Sequence, residues 1–107
     1  MKVDEYIPII VEELKKASPE KIILFGSYAY GIPTDDSDID LLVIKDISED
    51  EVRKYRLQLK KALWEKLKAF NFPFDLIVDN EKRIKQRIAM GDLFYKEIYT
   101  KGKVLYA

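Results

Sequence analysis

The apolar positions of this chain change period several times, and each change marks an element. Val3, Ile7, Ile10, Val11 and Leu14 recur at helical spacing and predict a first helix from about Asp4 to Ala17. The stretch "SPE" at Ser18–Glu20 breaks it. "KIILF", Lys21–Phe25, is a short apolar run with β-branched residues and predicts a strand. "GSYAYG" and the turn-like "IPTDDS" then lead into "DIDLLVI", Asp38–Ile44, a second strand. From Ser48 the helical period returns. Ser48 and Glu51 form a capping-box pair, and Val52, Tyr55, Leu59, Leu63, Leu67 and Phe70 mark one face of a long helix. "NFPFDLIVDN" holds a third strand, Phe74–Val78. The following "EKRIKQRIAMGDLFYKEIYTKG" predicts a helix interrupted or restarted near Gly91–Asp92, with Gly102 as its C-terminal cap. "KVLYA" is a short edge strand. Strands alternating with helices imply an α/β or α+β fold, a small mixed sheet of about four strands covered by helices. Strand directions stay open at this level.

Size and composition narrow the chemistry. A chain of 107 residues makes one domain, spanning 1–107. Lys and Arg number 19 and Asp and Glu 19, so bulk charge points to neither nucleic acid nor an anionic membrane. There is no cysteine and no histidine. That excludes disulfides, thiolate zinc sites, cysteine nucleophiles and histidine bases. A metal here must take oxygen ligands. No apolar run reaches the ~20 residues of a membrane span. "MKVDEYIPII" places acids before its apolar residues, unlike a secretory signal, so a cytoplasmic protein is expected.

One stretch does not fit a bland reading. "DDSDID" sets four aspartates within six residues, directly before an apolar strand. Asp35 and Asp36 read as solvated turn residues. Asp38 and Asp40 lie two apart in an extended segment, so both carboxylates project from one face while Ile39 and Leu41 face covering helices. Such a pair is costly without a cation, and a hard divalent ion completed by phosphate and water fits Mg²⁺. Upstream, Gly26 lets the chain turn tightly. Ser27, opening a short helix, offers an amide and a hydroxyl to a phosphate. Ser37 reads first as a cap for the turn and second as a nucleotide contact. Asp75 is an isolated acid in "FDLIV", expensive to bury unpaired. If its strand lies beside Asp38–Ile44, it completes a two-metal centre or accepts a proton from an attacking hydroxyl. Arg83 and Arg87, one helical turn apart, could meet a triphosphate, although an exposed helix face is the default. Trp64 is read as core or partner contact rather than a base-stacking residue. Tyr95, Tyr99 and Tyr106 are read as core or partner surface.

"GSYAYGIPTDDSDIDLLVI" resembles the G-S-x-x-x-G…S-D-I-D-L signature of the nucleotidyltransferase (DNA polymerase beta-like) superfamily, and the short chain resembles its minimal, MNT-type members. The resemblance covers nearly the whole sequence. It implies a polymerase-beta-like fold, with Gly26 and Ser27 on the β- and γ-phosphates and Asp38 and Asp40 on two Mg²⁺ ions. Asp75 is then the third ligand and general base. It implies in-line attack of a hydroxyl on the α-phosphate of a nucleotide, ATP here, with release of pyrophosphate. Many minimal members are encoded beside a HEPN-domain toxin and act as its antitoxin, some by adenylylating it. The implied partner is therefore a HEPN toxin, with no membrane or direct nucleic-acid contact. Tyr30 departs from the pattern, because many members carry Arg before the second glycine, and a phenol cannot pair bidentately with phosphate. That departure motivates an alternative, an antitoxin that acts by binding with weak or absent catalysis. Small-molecule nucleotidylation is a further alternative, and it needs a homo-oligomer to build an acceptor region.

Overall fold

The computed structural model describes residues 3–34, 36–70 and 73–107. Five α-helices and four strands follow in the order α1 (Val3–Lys15), β1 (Lys21–Phe25), α2 (Ser27–Tyr30), β2 (Ile39–Ile44), α3 (Glu49–Leu67), β3 (Phe74–Asp79), α4 (Glu81–Ala89), α5 (Leu93–Lys101) and β4 (Lys103–Tyr106). A 3-10 turn, Lys68–Phe70, extends α3. The strands form one sheet in the order β3-β2-β1-β4. β1 runs antiparallel to both β2 and β4, whereas β2 and β3 are parallel. Parallel neighbours need a long crossover, and α3 provides it. Among the described residues no helix is long and apolar enough to cross a membrane.

Strand alternation divides the core into two layers. Ile22, Leu24, Ile39, Leu41, Val43, Leu76 and Val78 face α1 and α3, meeting Ile10, Leu14, Leu59 and Leu63. Ile23, Phe25, Leu42 and Ile44 face the other way, against Ile84 of α4 and Tyr95 and Ile98 of α5. In β3, Asp75, Ile77 and Asp79 alternate with the buried Leu76 and Val78, so they belong to this second face.

Local signals account for most boundaries. At the start of α3, the Ser48 amide and hydroxyl donate to Glu51 Oε1 at 3.5 and 3.0 Å. The break between α4 and α5 falls at Gly91, with φ +97°, and at Asp92, whose carboxylate accepts the Tyr95 amide at 3.0 Å. Three boundaries differ from those expected. α1 ends at Lys15 rather than Ala17, β2 begins at Ile39 rather than Asp38, and β3 continues to Asp79. Gly102 caps α5 as expected, with φ −64° rather than a left-handed backbone. It is glycine for closeness instead: a Cβ there would meet the Ile98 carbonyl and lie 2.7 Å from Ile23 Cγ2. Trp64 is not core, being 57% exposed on the outer side of α3. Asp35 and the side chain of Phe70 lie outside the described residues.

Candidate active site

The site is assembled at the end of the sheet where β1 stops and β2 and β3 begin. Asp40 is the register partner of Phe25 on one side and of Asp75 on the other. Adjacent strands lie about 4.8 Å apart, and paired residues share a face, so the two carboxylates rise side by side. Asp40 is half-buried and Asp75 exposed. Asp38 stands just before β2, exposed.

Immediately after β1 the chain turns at Gly26, with φ +74° and ψ −156°, a conformation essentially confined to glycine. The Gly26 carbonyl accepts the Ala29 and Tyr30 amides at 3.0 and 3.1 Å, which makes the single turn of α2. A Cβ at Gly26 would run into the Asp40 carboxylate, 3.0 Å from its carboxyl carbon. The backbone of the turn is thus pressed against the acid pair, and only glycine allows that approach. The Ser27 amide and hydroxyl have no hydrogen-bond partner among the described residues. Ser37 lies farther back and ties the preceding turn. Its hydroxyl accepts the Thr34 amide at 2.9 Å, and its own amide donates to the Thr34 carbonyl at 3.1 Å.

Electrostatics mark Asp40 as the unusual member. Burial raises its pKa above the ordinary carboxylate range, and the charges of Asp75 and Asp38 raise it further. All three acids therefore share one field, in which no Lys or Arg among the described residues lowers the Asp40 pKa. A divalent cation is the group this field fits. Asp38 and Asp40, with Asp75 beside them, are the residues that would hold it. Among the described residues, however, no group of three or more acids is gathered closely enough to hold a metal ion. The three carboxylates are neighbours without yet forming a closed ligand set, and Asp75 Oδ1 accepts the adjacent Leu76 amide at 3.0 Å.

Arg83 and Arg87, for which an exposed helix face was the default and phosphate contact the alternative, are paired with acids. Arg83 donates to Asp79 at 3.1 Å and to Glu49 at 2.7 Å, at the far end of β3. Arg87 is held by Asp92 at 3.1 Å. Sequence reasoning missed the group around Asp79. This 5%-exposed carboxylate accepts the Tyr95 hydroxyl at 2.7 Å, Arg83 Nε, and the Asn80 amide at 2.9 Å. The signal was available: carrying the alternation of "DLIVD" one step further places Asp79 on the face of Asp75. Two clefts, of about 520 and 390 Å³, also open at this far end, the second beside Asp79 and Arg83. Neither touches Asp40 or Asp75, which stand on an open rim.

Comparison with known proteins agrees with this geometry. Residues 7–104 match the nucleotidyltransferase domain family. A Methanocaldococcus jannaschii protein named "Putative protein adenylyltransferase" is 36% identical over 87 residues, covering 81% of this chain and 78% of its own length. No solved structure gave a significant match. A glycine turn seated against strand-borne aspartates, in a chain matched over 7–104, has one reading: the protein belongs to the nucleotidyltransferase family and is an enzyme of that kind.

Proposed function

We propose that this nucleotidyltransferase uses Mg²⁺ and ATP to transfer AMP to a hydroxyl of a partner protein. The observation that carries the reading is the register pair Asp40–Asp75 on adjacent parallel strands, with the Gly26 turn packed against Asp40. The name of the archaeal relative supports a protein acceptor. The resemblance to minimal family members favours a HEPN toxin as that partner, and an antitoxin role in the cytoplasm.

In this reading Gly26 and Ser27 bind the β- and γ-phosphates through backbone and hydroxyl. Asp38 and Asp40 hold the Mg²⁺ ions, with Asp75 as the third carboxylate. The ions supply charge neutralisation on the phosphates. Asp75 takes the proton of the attacking hydroxyl. The hydroxyl oxygen bonds to the α-phosphorus as the bond from that phosphorus to the bridging oxygen breaks, and pyrophosphate leaves with that oxygen. The test is to incubate the chain, ATP, Mg²⁺ and the HEPN-domain protein encoded beside it, then weigh the acceptor. Addition of one adenylyl mass by the wild type and not by Asp38→Asn is expected. No added mass, or equal addition by the variant, overturns the mechanism.

A second reading has a specific observation behind it. Tyr30 packs against the core layer under α4 and α5 and brings no positive charge to the phosphates. An antitoxin that blocks its partner by binding alone fits that. Calorimetry with ATP and Mg²⁺ separates the two: good nucleotide binding together with modification of the partner excludes the second.

A further inference from the structure

The outer face of α3 carries a row of side chains that neither the core nor the catalytic end uses. Leu57 and Trp64 are two helical turns apart on one stripe, 55% and 57% exposed. Arg53, Lys60, Lys61 and Lys68 fall on the same stripe or flank it. Lys68 Nζ stands 5.2 Å from the indole centroid and also 3.1 Å from Glu65. Arg53, Lys60 and Lys61 form no ion pair among the described residues. Between Glu51 and Glu65 the helix holds five cations (Arg53, Lys54, Arg56, Lys60 and Lys61) and no acid. In a chain of formal net charge zero this is a local excess around two large apolar groups.

Its place matters. Glu49, at the start of α3, meets Arg83 at the far end of β3, and Arg56 Nε donates to the Leu76 carbonyl at 2.6 Å. The helix therefore runs back toward the catalytic end. Trp64, eight residues past Arg56, lies about 12 Å further along the axis, beyond the start of β3. It sits on the opposite face of the sheet from Asp40 and Asp75 but at the same end of the molecule.

We propose that Trp64 and Leu57, ringed by Arg53, Lys60 and Lys61, form the docking surface for the acceptor protein. Its matching surface is an apolar pocket rimmed by carboxylates. The inference rests on the protein-acceptor reading. Charge complementarity selects the partner, and an exposed tryptophan among cations is the residue type that anchors protein interfaces. An ordinary interface covers about 800 Å² of each partner, wide enough to grip this stripe while a loop of the same acceptor reaches the rim. A membrane-surface helix needs its whole apolar face free, and that of α3 is buried in the core. Zero net charge removes the long-range pull on a polyanion.

Trp64 is the single tryptophan, so its emission reports the surface directly. The probe is a synthetic helical peptide with Leu and Phe along one stripe and Glu on both flanks. A saturable blue shift below about 1 mM peptide is expected. It should be lost in about 1 M salt, where charges are screened beyond ~3 Å. Lys60→Glu with Lys61→Glu should weaken binding at least tenfold, and Lys103→Glu should leave it unchanged. Asp40→Asn should also leave it unchanged, so docking and chemistry fail separately. No shift up to that concentration, or an equal shift with Lys in place of Glu, overturns the proposal. So does a larger shift with phosphatidylglycerol vesicles or duplex RNA. A shift caused by raising the protein's own concentration makes a second copy the occupant and overturns it as well.

Discussion

Replacing Tyr95 with Phe isolates one hydrogen bond inside the fold. The ring stays, so the packing against Ile98 and Phe94 is kept and no cavity opens. What is lost is the 2.7 Å donation from the hydroxyl to Asp79, a carboxylate only 5% exposed. A hydrogen bond to a charged group contributes about 1.5–3 kcal/mol. Asp79 keeps the Asn80 amide and Arg83 Nε, so the lower part of the range applies, about 1.5–2 kcal/mol. At ~4 °C per kcal/mol for a domain of this size, Tm should fall by about 6–8 °C. Urea unfolding followed by circular dichroism gives the free energy, and a midpoint shift at unchanged slope shows that the folded state lost the stability. The effect has a pH signature. Burial raises the Tyr95 phenol pKa first, and the Asp79 bond and charge raise it further. The folded state thus holds a proton that the unfolded chain releases near pH ~10. Tyr95's contribution is complete below that pH and declines as pH climbs toward the folded value, so wild type and variant converge in alkali. Activity should not change, because Asp79 and Asp75 lie at opposite ends of β3. A loss below about 0.5 kcal/mol, or a gap that widens above pH ~10, refutes the reasoning.

Three further substitutions test the catalytic end and the α5 terminus. Asp40→Asn should abolish transfer. It should also stabilise the metal-free protein at neutral pH, since a raised carboxylate pKa gives stability that is full below the unfolded value and lost as pH rises through the folded one. Thermal scans with and without Mg-ATP check both halves, and a variant less stable than wild type without ligand contradicts the field described here. Gly26→Ala forces a Cβ into the Asp40 carboxylate at φ +74°, so a cost of about 1–3 kcal/mol and loss of ATP binding by calorimetry are expected. Gly102→Ala meets the Ile98 carbonyl and Ile23, so a cost of about 1–3 kcal/mol with the kcat of the folded fraction intact is expected in denaturant titration and assay.

What was legible in the sequence was what short-range physics decides. The strand "KIILF" and the Ser48–Glu51 cap depend on neighbours within a few positions, and both came out as read. The parallel pairing of β2 with β3 depends on where α3 returns the chain, which no local pattern encodes. Of the two readings of Trp64, core or partner contact, its exposure removes the first: it adjoins Leu63 in sequence, but 100° per residue turns it off that buried face. Arg83 and Arg87 could be placed one turn apart, yet not told apart from phosphate ligands until their partners Asp79 and Asp92 were located.

Asp75 and Asp79 sharpen the distinction between an acid that builds a fold and one held ready for chemistry. They occupy the same strand and the same face, four residues apart. Asp79 is buried, and the protein supplies its compensation in full, with a phenol, a guanidinium and an amide. Asp75 is exposed, its register partner is another carboxylate, and Asp38 adds a third charge to their field. Nothing in the folding of this chain requires that arrangement, and the glycine turn beside it adds backbone that only glycine tolerates. An uncompensated acid pair raises the energy of the ligand-free protein, and that energy is recovered when a cation and its phosphates bind. On the proposed reading the acid pair at Asp40, rather than the cleft beside Asp79, is therefore where cation and phosphate are expected to bind.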